Sequence, residues 1–537
     1  MLTQAEARRA LAGGIVALTL VIAITALPVL ALLAFASRFP ENSGFDAYTF
    51  SLLRFTLLQA VLSTLLSILI AIPVTLALCR RPHFPGRLWI IRLMAVPMGL
   101  PVLAGALGLI TVFGRQGIVN QALLALGLEQ PLSIYGLTGI LIAHVFFNFP
   151  LACRLMIAVL EGLPQEYWRL GASLGMRSWS IFRFIELPAL LRAIPGAAGL
   201  IFMLCATSFT LVLVLGGGPA ATTLEVAIYQ SLRLDFDPAR AIAMALLQIL
   251  VTACILALLS RLPANDPMNM GEGRRISRMD GQSWPARIWD TGVIMCACLF
   301  LSLPLLAIAW AGLRSNFLEI VTSAIFLQAL STSLAIAMLS AFACVLLALV
   351  IAFARQVVAE RRAPPRSARI FSASLGSLSS LVLLVPPVVL GTGWFLILRE
   401  IGEVSRFSIP IIIVINMLMA LPFVMRVLQP ALQSHRARTA RLVASLGITG
   451  FSRWRIVDWR VLGQPLAMAF SFAMALSLGD LGAVAMFGSQ DLVTLPWLLY
   501  SSLGSYRSHD ADSLALILGL ICLGLTLIGT AEREMRP

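Results

Sequence analysis

The sequence contains no lysine: all 39 basic residues are arginine. A phosphate-binding loop of the form G-x-x-x-x-G-K-[ST] needs a lysine to reach the nucleotide phosphates. This chain therefore does not power itself through a standard one. Charge of either sign is scarce, at 12% of 537 residues where a soluble globular chain carries about 25%. That shortfall excludes a water-soluble enzyme, a disordered protein and a nucleic-acid-binding domain. The four histidines (His83, His144, His435 and His509) are scattered, so no metal cage is indicated. The eight cysteines form no CxxC pair and lie in or beside apolar runs, where they read as small polarizable packing residues. Neither a Gly-rich dinucleotide loop nor a nucleophile elbow is present, so no catalytic residue and no cofactor of its own is expected.

What the chain does have is apolar length. Hydrophobic residues make up 59% of it and the mean hydropathy is +0.93. A spanning helix needs about 20 mostly apolar residues. Twelve runs qualify: 14–37, 55–79, 93–113, 136–158, 195–215, 239–260, 291–313, 327–353, 372–398, 408–428, 465–487 and 513–531. The fold class expected is an all-α polytopic membrane protein with about 12 transmembrane helices. The first run ends near Ala34-Phe35-Ala36, which has the look of a cleavage site. Its apolar stretch, however, is longer than a signal core of about 7–15 residues, and many further spans follow.

Arginine placement sets the orientation. With the N-terminus inside, 30 of the 39 arginines fall in inside segments. The nine outside are Arg38, Arg54, Arg115, Arg233, Arg240, Arg314, Arg399, Arg406 and Arg507. Both ends are therefore expected in the cytoplasm. The asymmetry also accounts for the net charge of +14 without a nucleic-acid partner. A basic cytoplasmic face meets anionic lipid and acidic protein surfaces.

The two halves of the chain echo each other. Phe149-Pro150 with Arg154 matches Leu421-Pro422 with Arg426, and Ala172-Ser173-Leu174-Gly175 matches Ala444-Ser445-Leu446-Gly447, both at an offset of 272. Thr223-Leu224 with Tyr229 matches Thr494-Leu495 with Tyr500 at 271, and Pro101-Val102 pairs with Pro387-Val388 at 286. Six spans separate equivalent points, an even number, so the expected arrangement is two parallel six-helix repeats about an axis along the membrane normal. That geometry puts a path at the interface of the halves. The expected organisation is an N-terminal segment with the first helix (1–50), a first unit (51–260), a polar cytoplasmic linker (261–290), a seventh helix with its outer loop (291–325), a second unit (326–531) and a cytoplasmic tail (532–537).

Two long cytoplasmic loops, 159–194 and 429–464, are helical in pattern, amphipathic, arginine-rich and broken by a glycine. Two readings fit them: interfacial helices lying on the headgroups, or docking knobs for a cytoplasmic partner. The knob's presence in both halves favours docking, and a two-fold pair suits a dimeric partner.

At these residues the sequence resembles a known family. Gly175, nine residues, then Ile185-Glu186-Leu187-Pro188 is similar to the G-x9-I-x-L-P half of the EAA loop of ABC-importer permeases, while the EAA triplet itself is degenerate at Arg169-Leu170-Gly171. In the second half Gly447 is in place, but the later element reads Val457-Asp458-Trp459-Arg460 and lacks the leucine-proline end. Ser477-Leu478-Gly479-Asp480-Leu481-Gly482-Ala483 resembles the stretch that follows this loop in such permeases. Gly114-Arg115-Gln116-Gly117, His144 to Pro150, Leu174 to Trp179 and Leu215 to Pro219 resemble the fused permeases of bacterial thiamine (thiamine pyrophosphate) importers. The similarity covers most of 50–260 and, less sharply, 320–530; fused ferric-iron permeases share the architecture.

The resemblance implies an inner-membrane permease that is not itself an enzyme. A separate ATPase dimer uses ATP and docks on the two loops, and a periplasmic binding protein delivers the cargo. Carried over residue by residue, the ATPase-coupling positions are Arg169, Gly171, Ala172, Gly175, Arg177, Ile185, Leu187 and Pro188 in the first loop, and Arg441, Ala444, Gly447 and Asp458 in the second. Gly175 and Gly447 suit a turn with positive φ, a helix C-cap, or both.

Candidate pathway residues follow from polarity inside apolar runs. Asp480 is expensive there and is a functional candidate by default. It lines the path for a cationic cargo such as thiamine, or it hydrogen-bonds a neighbouring helix end. By the 271 offset its repeat partner is Phe209. Ser208 and Thr207 either face the interior or bond back to their own helix. Asn148 and His144 share a helical face as ligand contacts or as buried packing. Glu225, Asp235, Asp237, Asp510 and Asp512 lie in outer loops, either solvated or meeting the delivery protein. An ion-coupled secondary transporter is the rival from another class, and its expected signature of several intramembrane acids is missing. A membrane-embedded enzyme finds no clustered acids or nucleophile in its favour.

Overall fold

A computed structural model describes residues 4–37, 46–127, 129–259, 261, 283–315, 317–360, 364–448, 450–488, 492–505 and 507–530. Among them all regular structure is helical, and eleven helices are long and apolar enough to cross a membrane. Most of the linker expected at 261–290 and the tail 532–537 lie outside the described residues.

The run 372–398 is not one helix. It divides into Arg366–Leu384 and Pro387–Ile401. Pro386 and Pro387 donate no backbone N–H, and Val385, preceding a proline, is held extended at φ −114°, ψ 103°. The first half does the same at Pro101, which opens the Val102–Phe113 helix after the short Arg87–Leu93 and Val96–Gly99 helices. The runs 195–215 and 465–487 also differ. Their helices begin earlier, at Leu187 and Trp459, and stop at Ala206 and Gly479. Pro188 follows directly on the π turn Phe182–Glu186, where the wider backbone spacing accompanies the loss of its N–H from the ladder. After each stop a short helix resumes, Thr210–Leu215 and Gly482–Phe487.

The chain packs as two compact units. One comprises Phe45–Val226 and Val251–Ser315, the other Met1–Gly44, Ala227–Leu250 and Asn316–Pro537. In the first of these, the Ala47–Arg80 helix packs along Leu137–Glu161, and Trp284–Arg314 packs on Val102–Phe113. In the other, Ala324–Ala359 packs along Val404–Ser445 and Trp459–Gly479, while Gln4–Ala36 packs on Ala324–Ala359 and Pro387–Ile401. Each unit thus takes in a proline-bearing helix from outside its own repeat, and the contact repeats: a Cβ on Gly108 would lie 2.6 Å from the Pro304 carbonyl oxygen, and one on Gly393 would lie 2.5 Å from Pro28 Cβ. Only a residue without a side chain permits helices that close.

Buried polar contacts repeat as well. The Leu224 N–H donates to Thr56 Oγ1 at 3.1 Å, and the Leu495 N–H donates to Ser333 Oγ at 2.8 Å. These hydroxyls satisfy helix N-terminal donors that hydrocarbon would leave unpaired.

Candidate functional site

The two loops share a backbone. In the first, the Gln165–Ser173 helix ends at Gly175 with φ 63°. The Met176 N–H donates to Gly171 O at 2.9 Å and the Gly175 N–H to Ala172 O at 3.1 Å, the pairing of a Schellman cap. In the second, Gly447 has φ 60° and the Ile448 N–H donates to Val443 O at 3.3 Å. Both glycines therefore end helices through a left-handed turn that costs other residues about 1–2 kcal/mol. Beyond them the chain forms π-helical turns at Phe182–Glu186 and Trp454–Asp458, again 272 apart. π turns are rare and concentrate at functional sites.

The surfaces match too. Leu170, Leu174 and Phe184 are 58%, 67% and 67% exposed; at the same register Leu442, Leu446 and Ile456 are 60%, 62% and 59% exposed. Apolar groups left bare in the same places on two loops mark an interaction surface. Arg169, Ala172, Gly175, Arg177 and Gly447 are exposed beside these patches. Ile185, Leu187 and Pro188 are half-buried, while Gly171 and Asp458 are buried. The side chains of Arg441 and Ala444 lie outside the described residues.

Beneath the matched surfaces the interiors differ. The first loop buries Ile181 and Leu190 together with the single carboxylate of Glu186. The second holds a charge network. His435 Nε2 donates to Asp458 Oδ1 at 2.9 Å, and Arg453 Nε lies 3.5 Å from Asp458 Oδ2. Arg436 Nη1 donates to Glu360 Oε1 at 3.4 Å, and its guanidinium sits 5.0 Å from the Phe353 ring centroid. Sequence reasoning named Asp458 but missed His435, Arg436, Arg453 and Glu360. One signal was available: Glu186 and Asp458 hold the same register in the two loops, and both are buried.

The candidate pathway residues are not gathered into one cluster within either unit. Asn148 is buried and its Nδ2 donates to Cys205 Sγ at 3.3 Å, while Ser63 Oγ and His144 Nδ1 lie 2.9 Å apart. Thr207 Oγ1 bonds back to Met203 O at 2.9 Å. The Asp480 carboxylate accepts from the N–H groups of Gly482 and Ala483 at 3.2 and 3.1 Å, capping the resumed helix. Those resumed helices, Thr210–Leu215 and Gly482–Phe487, stand 272 apart at both ends. The structural partner of Asp480 is therefore Ser208, one residue from the Phe209 that the 271 offset gives. The lost residue falls later, in the stretch before Thr494. Glu225 is no solvated loop residue: it is buried in the first turn of the Leu224–Arg233 helix, where the macrodipole favours an acid. Asp237 caps the next helix, accepting from the Arg240 N–H at 3.1 Å.

Comparison with known proteins adds independent findings. The family described as binding-protein-dependent transport system inner membrane component matches residues 63–263. A thiamine transport system permease protein of Brucella abortus is 44% identical over 531 residues, which cover 99% of this chain and 96% of that protein. Its namesake in Escherichia coli is 43% identical over 518 residues, covering 95% and 94% of the two chains. That of Haemophilus influenzae is 36% identical over 514 residues, with the same coverage.

Proposed function

The chain belongs to the inner-membrane permease components of binding-protein-dependent transport systems, and from that premise we propose that it forms the transmembrane path of an ATP-driven importer of thiamine or its phosphate esters. The observation that carries this reading is the pair of loops with one backbone and one exposed apolar pattern, set 272 residues apart. A dimeric ATPase presents two equivalent grooves, and two equivalent knobs fit them.

In this reading the chain is a passive gate. Both termini and both loops face the cytoplasm. ATP-driven closure of the partner presses Leu170, Leu174 and Phe184 on one side and Leu442, Leu446 and Ile456 on the other. The helices that run directly from the π turns, Leu187–Ala206 and Trp459–Gly479, carry the push into the membrane. Each ends at a break, Thr207–Phe209 or Asp480–Leu481. Irregular backbone at membrane depth is tolerated where it is buried in protein or lines a water-filled cavity, which supports reading Ser208 in one unit and Asp480 in the other as contacts for a cationic cargo released by a periplasmic binding protein. Thr207 and Asn148 support the first of those breaks. Alternating access follows as rigid-body rocking.

The test is uptake of labelled thiamine in cells lacking their own permease, supplied with this chain, its ATPase and its binding protein. Uptake should require all three. Restoration of ferric-iron uptake in place of thiamine would replace the cargo. Uphill transport by the purified chain alone in vesicles would overturn the passive-gate reading.

A further inference from the structure

The unit formed by Phe45–Val226 and Val251–Ser315 contains a cavity of about 1020 Å³ among the helices Ala47–Arg80, Leu137–Glu161 and Trp284–Arg314. That size sits at the top of the range of about 300–1,000 Å³ for small-molecule sites. Leu69, Ile70, Val145 and Val293 line its walls. Phe149 and Phe300 also line it, with ring centroids 6.0 Å apart. Such walls offer almost nothing to a cation as polar as thiamine. The groove also opens outward, because Leu69, Ile288 and Trp289 on its rim are exposed. All three helices are apolar enough to cross a membrane, so the opening faces hydrocarbon.

One end of the groove is charged. Arg80 Nη1 lies 3.2 Å from Asp290 Oδ1, and Arg81 Nη2 lies 3.3 Å from Asp290 Oδ2. Among the described residues, two guanidiniums against one carboxylate leave the cluster net positive. Arg287, one turn before Asp290 on the helix that supplies Trp289 and Gly292, is exposed and adds a second excess charge. Basic clusters between transmembrane helices on the cytoplasmic side suit anionic lipid headgroups, and tryptophan favours the same depth.

We propose that this groove retains an anionic phospholipid of the inner leaflet, its acyl chains in the apolar cleft and its phosphate facing Arg81 and Arg287. The leaflet rests on the cytoplasmic orientation given above; occupation of the groove does not. Gly292 provides a way in. It lines the cavity, and a Cβ there would meet nothing within 4 Å. Gly292→Leu therefore extends a side chain from an open position on the groove wall, with better helix propensity.

The experiment uses the full chain, purified, equilibrated in nanodiscs of equal phosphatidylglycerol and phosphatidylcholine, re-extracted and weighed by native mass spectrometry. The native chain should retain phosphatidylglycerol over phosphatidylcholine by about tenfold. Gly292→Leu should cut retention of both by roughly fivefold or more, and Arg287→Gln should lower the preference about threefold, each at an unchanged melting temperature. Native lipid retention by Gly292→Leu would overturn the site, as would an apolar protein found in the lipid's place. An undiminished preference in Arg287→Gln would overturn the headgroup assignment. None of these readouts involves transport, so the cargo reading and the lipid site fail separately.

Discussion

The two amphipathic loops, 159–194 and 429–464, present one surface on two different foundations. Their glycine caps, π turns and exposed apolar side chains coincide residue for residue at a spacing of 272. In the first loop, Pro164 interrupts the chain after the Leu137–Glu161 helix and starts a separate one. In the second, Arg436 stands where that proline would be. The helix runs unbroken from Val404 to Ser445, held by the pairs Arg436–Glu360 and His435–Asp458. The exposed face is the part that repeats. What lies beneath it differs: a proline hinge in the first loop, an unbroken helix joined by ion pairs in the second.

The comparison breaks hardest at position 436. Arg436→Pro imposes the first loop's hinge on the second and removes the partner of the exposed Glu360. A proline inside a helix costs about 3 kcal/mol or more. The variant should lose most of its melting stability and all uptake. Asp458→Ala comes next. It leaves the buried His435 and Arg453 without their shared carboxylate, and a fall in stability of about 3–5 kcal/mol is expected by thermal melting. The double variant Asp458→Asn, His435→Gln should recover part of that loss, since the buried pair would then be neutral and still able to hydrogen-bond.

The surface half of the comparison is sharpened by Leu174→Asp and Leu446→Asp. Both side chains are exposed, so membrane levels should not change, whereas uptake and ATPase co-purification should fall about tenfold or more in either variant. A large effect in one loop and none in the other would refute equivalent docking. The smallest effect is expected from Gly175→Ala and Gly447→Ala. A side chain meets nothing within 4 Å at either site, so the left-handed backbone alone sets the cost, about 1–2 kcal/mol for the local turn. Uptake should drop several-fold and equally in both, while Gly175→Asn, which tolerates that backbone better, should lose less.

Much of this was legible beforehand. Apolar runs gave the spans, because a backbone in hydrocarbon must satisfy itself and helices do so locally. The internal offset located both loops and both glycines. The sequence misled where continuity of hydrophobicity hid discontinuity of backbone. The run 372–398 contains Pro386 and Pro387, and 195–215 contains the break at Thr207–Phe209, yet their composition reads as single spans. Asp480 shows the same limit: its polarity was visible, but its place at a helix start, and Ser208 as its counterpart, depended on where the preceding helix stops.

Composition and spacing alone determined that the chain lives in lipid, repeats itself and lacks the lysine of a standard nucleotide-binding loop, because these depend on residue types and intervals. Tertiary structure decided which charges the protein buries and pairs, which leucines it leaves bare, and which helix each half receives from outside its repeat. Those outcomes turn on contacts between residues far apart in the chain, such as Gly393 with Pro28 or Arg436 with Glu360, and local sequence carries no record of a distant neighbour.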